Sequence, residues 1–250
     1  MIQHEIRDSV AVLHMEHGKV NAIDVELFTA LESALQELEP LPATAVVLTG
    51  TGNAFSAGVN LFRILEEGRG YIERFLPILS SGLKKLLLFP KPVIAAVNGH
   101  AIAGGCLLAC SCDYRIMSQG TIGVPELRVG VPFPALPLEI VRFVAPPQYL
   151  QEIVYTGRTY NPEEALSRGL VDEIAPPDAL MERAFEMART LGKHPSNAFR
   201  IVKQQMRMQI IETAERLSKD GEVLQSWCAP ETHVVIRDYL NKTLGKSDKN

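Results

Sequence analysis

Two adjacent glycines, Gly104 and Gly105, stand at a junction in Asn98-Gly-His-Ala-Ile-Ala-Gly-Gly-Cys-Leu-Leu-Ala109. An apolar run, Pro92-Val-Ile-Ala-Ala-Val97, precedes them, and a small-residue stretch that reads as a helix follows. The first N–H groups of a helix have no intrahelical acceptor, and the helix dipole adds partial positive charge there. Such a turn can hold a negative oxygen. A second glycine-bearing segment, Phe55-Ser-Ala-Gly-Val-Asn-Leu61, lies upstream and supplies a candidate second half of the same site. The plainer alternative is that Gly104 and Gly105 only let a helix pack closely on a strand.

A carboxylate at Glu126 opens the helical stretch in Ile122-Gly-Val-Pro-Glu-Leu-Arg-Val-Gly130. It reads either as an acid/base group or as a first-turn carboxylate favoured by the dipole. Glu139 follows shortly after. His100 is the histidine nearest the glycine turn, and strand-end packing or a hydrogen bond to backbone suits it better than catalysis. Cys106, Cys110 and Cys112 form a C-x3-C-x-C cluster whose spacing is not that of common zinc sites. With Cys228 they read as buried free thiols, and no metal is expected.

These residues need elements to position them. Residues 9–15 read as a strand paired with 2–6 across an Arg7-Asp8 turn. Residues 24–38 read as a helix with Phe28, Leu31, Leu35 and Leu38 on one face. Ala45–Leu48 is a short strand closed by Gly50-Thr-Gly-Asn53. A helix is expected over 71–88, ended by Pro90 and Pro92, and strands over 93–97, 113–117 and 121–123. Asn161-Pro-Glu-Glu164 carries a helix start, with Asn as cap, Pro first and Glu three beyond the cap. Gly169 suits the end of that helix. Further helices are expected from Asp178 to about Leu191, from Pro195 to about Leu217 and again to about Leu240, followed by a frayed polar tail at 245–250. Alternation of strands and helices argues an α/β fold with mostly parallel pairing. No G-x-G-x-x-G follows the first strand, which speaks against a dinucleotide fold.

The 250 residues fit one large domain with a smaller appendage. The formal net charge is −4 with both signs interspersed, so no nucleic-acid face is expected. The apolar stretch near 92–110 is broken by Asn98, His100 and glycines and does not suit a membrane span. No signal peptide is read at the N-terminus, and the expected location is cytoplasmic.

The segments at 55–61, 92–117, 122–130 and 155–173, the last holding Tyr155-Thr-Gly-Arg158 and Gly169-Leu-Val-Asp172, resemble the crotonase (enoyl-CoA hydratase/isomerase) superfamily. The resemblance spans nearly the whole chain. It implies a ββα spiral over residues 1–190 and a helical region over 191–250 that packs between subunits of a homotrimer or hexamer. It implies an acyl-CoA thioester as substrate and no separate cofactor, coenzyme A being part of the substrate. The backbone N–H groups of Val59 and Gly104 would then hold the thioester oxygen as an enolate forms. Ala22, Ala57 and Leu61 would line the adenine and pantetheine path, and Gly58, Asn60, Leu107 and Pro125 would border the substrate. Asn60 stands where the family usually has Asp. Lys19 and Arg63 are candidates for the phosphates, although such cations are more often solvated.

Family hydratases use two carboxylates, and the first of those positions is Leu107 here; the second is Glu126. The Gly-Gly-Cys-Leu-Leu-Ala pattern, with Cys112-Asp-Tyr-Arg-Ile116, resembles the mitochondrial-type Δ3,Δ2-enoyl-CoA isomerases, which also lack the first carboxylate. Glu126 would be the single acid/base. Two alternatives stay open: a hydratase with a displaced second acid/base, Glu139 first, and a non-catalytic acyl-CoA-binding protein. The segment Val131-Pro-Phe-Pro-Ala-Leu-Pro137 should shape the acyl end of the pocket with bulky, stiff residues.

Overall fold

The computed structural model describes residues 1–244; the tail at 245–250 lies outside them. The chain opens with a hairpin of β1 (Ile2–Arg7) and β2 (Val10–Met15), with Arg7 opposite Val10. The turn is Asp8-Ser9 rather than Arg7-Asp8, and both residues take positive φ, 49° and 63°. A two-residue turn of that geometry matches the right-handed twist of the paired strands.

From there the chain repeats one unit. β3 (Ala45–Gly50), β5 (Val93–Val97) and β7 (Tyr114–Met117) enter a six-stranded sheet of order β1-β2-β3-β5-β7-β10, where β10 is Glu173–Ile174. Each is followed at once by a short strand of a second sheet: β4 (Ala54–Ser56), β6 (His100–Ile102) and β8 (Ile122–Gly123). β9 (Thr159–Tyr160) completes that four-stranded sheet, antiparallel to β8. Helices return the chain after each strand pair: α2 (Leu61–Leu87), α3 (Gly104–Ser111), and then α4 (Glu126–Val129), α5 (Ala135–Val144) and α6 (Pro147–Thr156). The result is the expected α/β arrangement of repeated ββα units.

The large sheet is covered on both faces, which explains why its strands read as nearly continuous apolar runs. Leu13, Val46, Leu48 and Ala95 point into the main core beside α1 (Val25–Leu38), α2 and α3. The alternate residues Val12, Val47, Ile94 and Ile116 meet α8 (Leu180–Gly192) through Ala184, Phe185 and Ala188. α1 buries Phe28, Leu31, Leu35 and Leu38, the face read from sequence. α2 begins ten residues earlier than expected. Gly68, at φ 61° and ψ −146°, interrupts it, and that break hides the first turns from any periodicity.

The capping box at α7 (Pro162–Ser167) forms as read, with Asn161 and Glu164 each accepting the other's backbone N–H. Three further helices close the chain: α9 (Ser196–Arg216), α10 (Asp220–Trp227) and α11 (Pro230–Leu244). α9 is anchored by charge. Asp113 bonds Lys203 at 2.7 Å and Arg207 at 3.0 Å, all three largely buried, and Arg207 also donates to the carbonyls of Leu87, Ser111 and Cys112. Asp113 lies just outside β7, and its carboxylate accepts the Val93 N–H. No helix of the described residues is long and apolar enough to cross a membrane.

Candidate active site

Segments 20–24 and 54–60 are woven together by backbone and side chain. Asn21, at φ 50°, donates its side-chain amide to the carbonyls of Ala54 and Phe55. Ser56 donates its hydroxyl to the Asn21 carbonyl at 2.7 Å, and Ala57 N–H bonds the Val20 carbonyl at 2.9 Å. Ile23 donates to Gly58 O at 2.7 Å and accepts from Asn60 N–H at 2.8 Å, an isolated parallel bridge to Val59. In a parallel bridge the residue between the two partners turns its own N–H to the opposite side. The Val59 N–H therefore faces away from Ile23, and it has no acceptor among the described residues.

The start of α3 supplies the facing loop. Ala103 adopts φ 51° and ψ −119°, a conformation L-residues rarely take and one that costs about 1–3 kcal/mol. It is held by its N–H to Gly123 O at 2.8 Å and by its carbonyl, which accepts Leu107 N–H at 3.0 Å. Gly104 then becomes the first helical residue, and its N–H also lacks an acceptor among the described residues. The two glycine readings divide between the pair. Gly105 is a packing glycine, since a Cβ there would lie 2.2 Å from Ser56 O. Gly104 meets only the movable end of Ile23 at close range.

Both loops open onto one cavity of about 50 Å³. Ala57, Val59, Leu61, Gly104, Leu107 and Pro125 line it, and so does Glu126. Glu126 is 8% exposed, and its Oε2 atom has no hydrogen-bond partner. Burial away from water pushes its carboxyl up to about 8, opposed only by a local backbone hydrogen bond. Its surroundings are apolar: Leu107, Val129, Val131 and Phe133 share the wall.

Seven of the ten residues read from sequence thus meet at one cavity, and three do not reach its wall. Ala22 is half-buried within the woven segment. Gly58, at φ 84°, serves the close approach of the two loops. Asn60 caps α2, its side-chain oxygen accepting Arg63 N–H at 3.4 Å. Glu139, the stand-in for a second carboxylate, is buried off the cavity and bonded to Arg142 at 3.1 Å. His100 is exposed and accepts the Thr121 N–H at its ring, the strand-end role read for it. Arg63 is held by Glu26 and Glu67 and lies over the Tyr71 ring, 4.5 Å from its centre, while Lys19 is exposed. Cys106, Cys110 and Cys112 are buried thiols, and Cys228 is half-buried.

Three wall residues lie outside the site read from sequence: Leu79 of α2, Trp227 of α10 and Tyr239 of α11. The last two mean that region 191–250 contributes to the site as well as lying beyond the α/β body. The chain's single tryptophan was the available signal, because a large aromatic with one N–H to satisfy suits a buried wall.

A sequence model described as enoyl-CoA hydratase/isomerase matches residues 5–233, and the chain belongs to this family, within the crotonase superfamily. Among its relatives, the mitochondrial enoyl-CoA delta isomerase 1 of Rattus norvegicus is 28% identical over 250 residues, 98% of this chain and 84% of that one. A short-chain-enoyl-CoA hydratase of Clostridium acetobutylicum is 32% identical over 205 residues, covering 80% and 78%. The crystal structure of human mitochondrial delta3-delta2-enoyl-CoA isomerase superposes with a TM-score of 0.90 at 25% identity, covering 100% of this chain and 99% of that one. Isomerases and hydratases therefore both stand among the relatives.

Proposed function

We propose that this enzyme shifts the double bond of a 3-enoyl-CoA to the 2-enoyl position. The observation that carries the reading is the lone carboxylate: Glu126 is the only acidic residue lining the cavity among the described residues, and Leu107, which the family resemblance matches to the other hydratase carboxylate, lines it too. Adding water to a double bond requires one group to activate the water while a proton goes to carbon. Moving a double bond requires one group to take a proton from C2 and return it to C4.

In this reading the thioester oxygen accepts the N–H groups of Val59 and Gly104. Glu126 removes a C2 proton, and the electron pair spreads over the oxygen and C4 as a dienolate. The two amides stabilise the oxyanion; loss of one such donor typically lowers the rate about 100–1000-fold. The same carboxyl then delivers the proton to C4, leaving the double bond between C2 and C3. Nothing is added or lost, so no second carboxylate and no bound cofactor enter the step. Coenzyme A arrives as part of the substrate.

We further propose that the chain works as a homotrimer or a dimer of trimers. Ile201, Val202 and Met206 on α9 and Phe143 on α5 are exposed apolar residues, which favours a covered surface there.

The test is incubation with 3-hexenoyl-CoA and 2-hexenoyl-CoA in turn, following isomer and 3-hydroxyacyl-CoA by absorbance and mass spectrometry. The 3-enoyl thioester should convert to the 2-enoyl form without hydroxyacyl product, and Glu126→Gln should abolish the conversion. Hydration of the 2-enoyl thioester without isomerisation of the 3-enoyl one would establish the hydratase reading instead.

A further inference from the structure

Part of the cavity wall is built of aromatic side chains held by specific contacts. Trp227, 2% exposed, donates its indole N–H to the Pro132 carbonyl at 2.9 Å. Its ring packs against Phe75, with centroids 6.4 Å apart, and Phe75 stacks on Tyr71 at 5.7 Å. Phe133, 9% exposed, stands in Val131-Pro-Phe-Pro134, where two prolines stiffen the backbone on either side of it. Both Trp227 and Phe133 line the cavity that holds Glu126.

These contacts make a rigid wall. A tryptophan with its one donor satisfied and its ring packed on Phe75, itself stacked on Tyr71, has little room to swing aside, and moving it would leave a buried N–H unpaired. The cavity volume is about 50 Å³. A water-sized group needs roughly 10–15 Å³ on this measure, so the space holds about four such groups. The reacting carbons use much of that room.

We propose that Trp227 and Phe133 set the acyl-chain length of the substrate, restricting the enzyme to short-chain thioesters, on the small number of groups the cavity holds. The inference rests on the site reading given above, in that the acyl chain enters the cavity lined by Glu126, but not on which reaction occurs there. The stopper is built jointly by the Pro-rich segment before α5 and by α10 of the C-terminal region.

The experiment separates binding from turnover. Titration calorimetry with the saturated thioesters hexanoyl-CoA and dodecanoyl-CoA measures the cavity's preference without chemistry. Turnover of 3-hexenoyl-CoA and 3-dodecenoyl-CoA measures it with chemistry. The wild-type chain should favour the six-carbon compound by at least about 10-fold in each, since a single methylene in a fitted apolar pocket discriminates by roughly that much or more. Trp227→Leu and Phe133→Ala should each raise the dodecanoyl-to-hexanoyl binding ratio at least 10-fold, with circular dichroism checking the fold. The second variant covers the case in which removing the buried indole disrupts α10. Hexanoyl-selective binding with no turnover of either enoyl compound would sustain the stopper and count against the isomerase. Equal binding of the two saturated thioesters by the wild-type chain would overturn the stopper, whatever the enzyme catalyses. So would unchanged ratios in both folded variants.

Discussion

Gly58 faces the backbone nitrogen of Gly104 so closely that a Cβ added at Gly58 would lie 3.3 Å from that nitrogen and 2.5 Å from the carbonyl oxygen of Ile102. Gly58 also sits at φ 84°, which an L side chain adopts only with strain. Gly58→Ala should therefore push the 54–60 loop away from the start of α3 and separate the Val59 and Gly104 amides. The expected outcome is a loss of about 100-fold or more in kcat/KM, comparable to losing one oxyanion donor. Steady-state kinetics on 3-hexenoyl-CoA, beside a melting curve showing a folded protein, checks it. Wild-type kinetics from a folded variant would mean that the spacing of the two amides does not govern the rate.

The setting of Glu126 dictates a pH profile. Its carboxyl is pushed up to about 8 by burial in an apolar wall. Only the ionised form can take a proton from C2. In the free enzyme kcat/KM should rise with pH and level off above about 8, rather than levelling off near the ordinary carboxylate value. A plateau already reached at about pH 6 would show that another group, or a solvated Glu126, acts as the base. Glu126→Gln should lower activity by several orders of magnitude across the whole range.

The same burial makes a stability prediction that needs no substrate. The folded value lies above the unfolded one of 4.5. A group shifted in that direction contributes stability fully below the unfolded pKa and loses it as pH rises through the folded one. The wild-type protein should lose stability between about pH 4.5 and 8 relative to Glu126→Gln, which stays neutral throughout. A shift of this size corresponds to on the order of 5 kcal/mol when complete. Parallel denaturant titrations at about pH 5, 7 and 9 test it. Identical pH dependence in the two proteins would mean that Glu126 ionises without cost.

The sequence disclosed the site better than the walls that shape it. Glycines at 58, 104 and 105 and the Pro-Glu pair at 125–126 have residue types tied to their local tasks, so type and spacing alone point to them. The helix face of α1 and the capping box at Asn161 are legible because their signals recur at helical spacing along a short stretch of chain. The first turns of α2 are not, because Gly68 breaks the period. The strained Ala103 carries no mark in its residue type, and the Asn21 stitch is a contact across more than thirty residues. Trp227 and Tyr239 fall in a region whose apolar pattern points only to subunit packing. Nothing in their spacing says that α10 and α11 turn back to the cavity, a tertiary fact that local pattern does not encode.

The anchoring of α9 gives a final prediction. Asp113 holds Lys203 and Arg207, and burial draws the Lys203 ammonium down to about 8 despite that carboxylate. Asp113 also accepts the Val93 N–H at the start of β5. Removing this side chain leaves two buried cations and one backbone donor without their partner. Breaking a buried charge pair from one side typically costs about 3–5 kcal/mol, so Asp113→Ala should lower the unfolding free energy by that order. Asp113→Asn keeps an acceptor of the same shape but removes the charge, and should fall between the two. The measurement is the urea midpoint of the three proteins at about pH 7, where Lys203 is largely protonated. A similar midpoint for Asp113→Ala and wild type would show that α9 is held without this carboxylate, by its apolar contacts with α5 and the Arg207 bonds to the Leu87, Ser111 and Cys112 carbonyls. In that case Lys203→Met, which removes a buried charge together with its partnering requirement, should leave the midpoint unchanged as well.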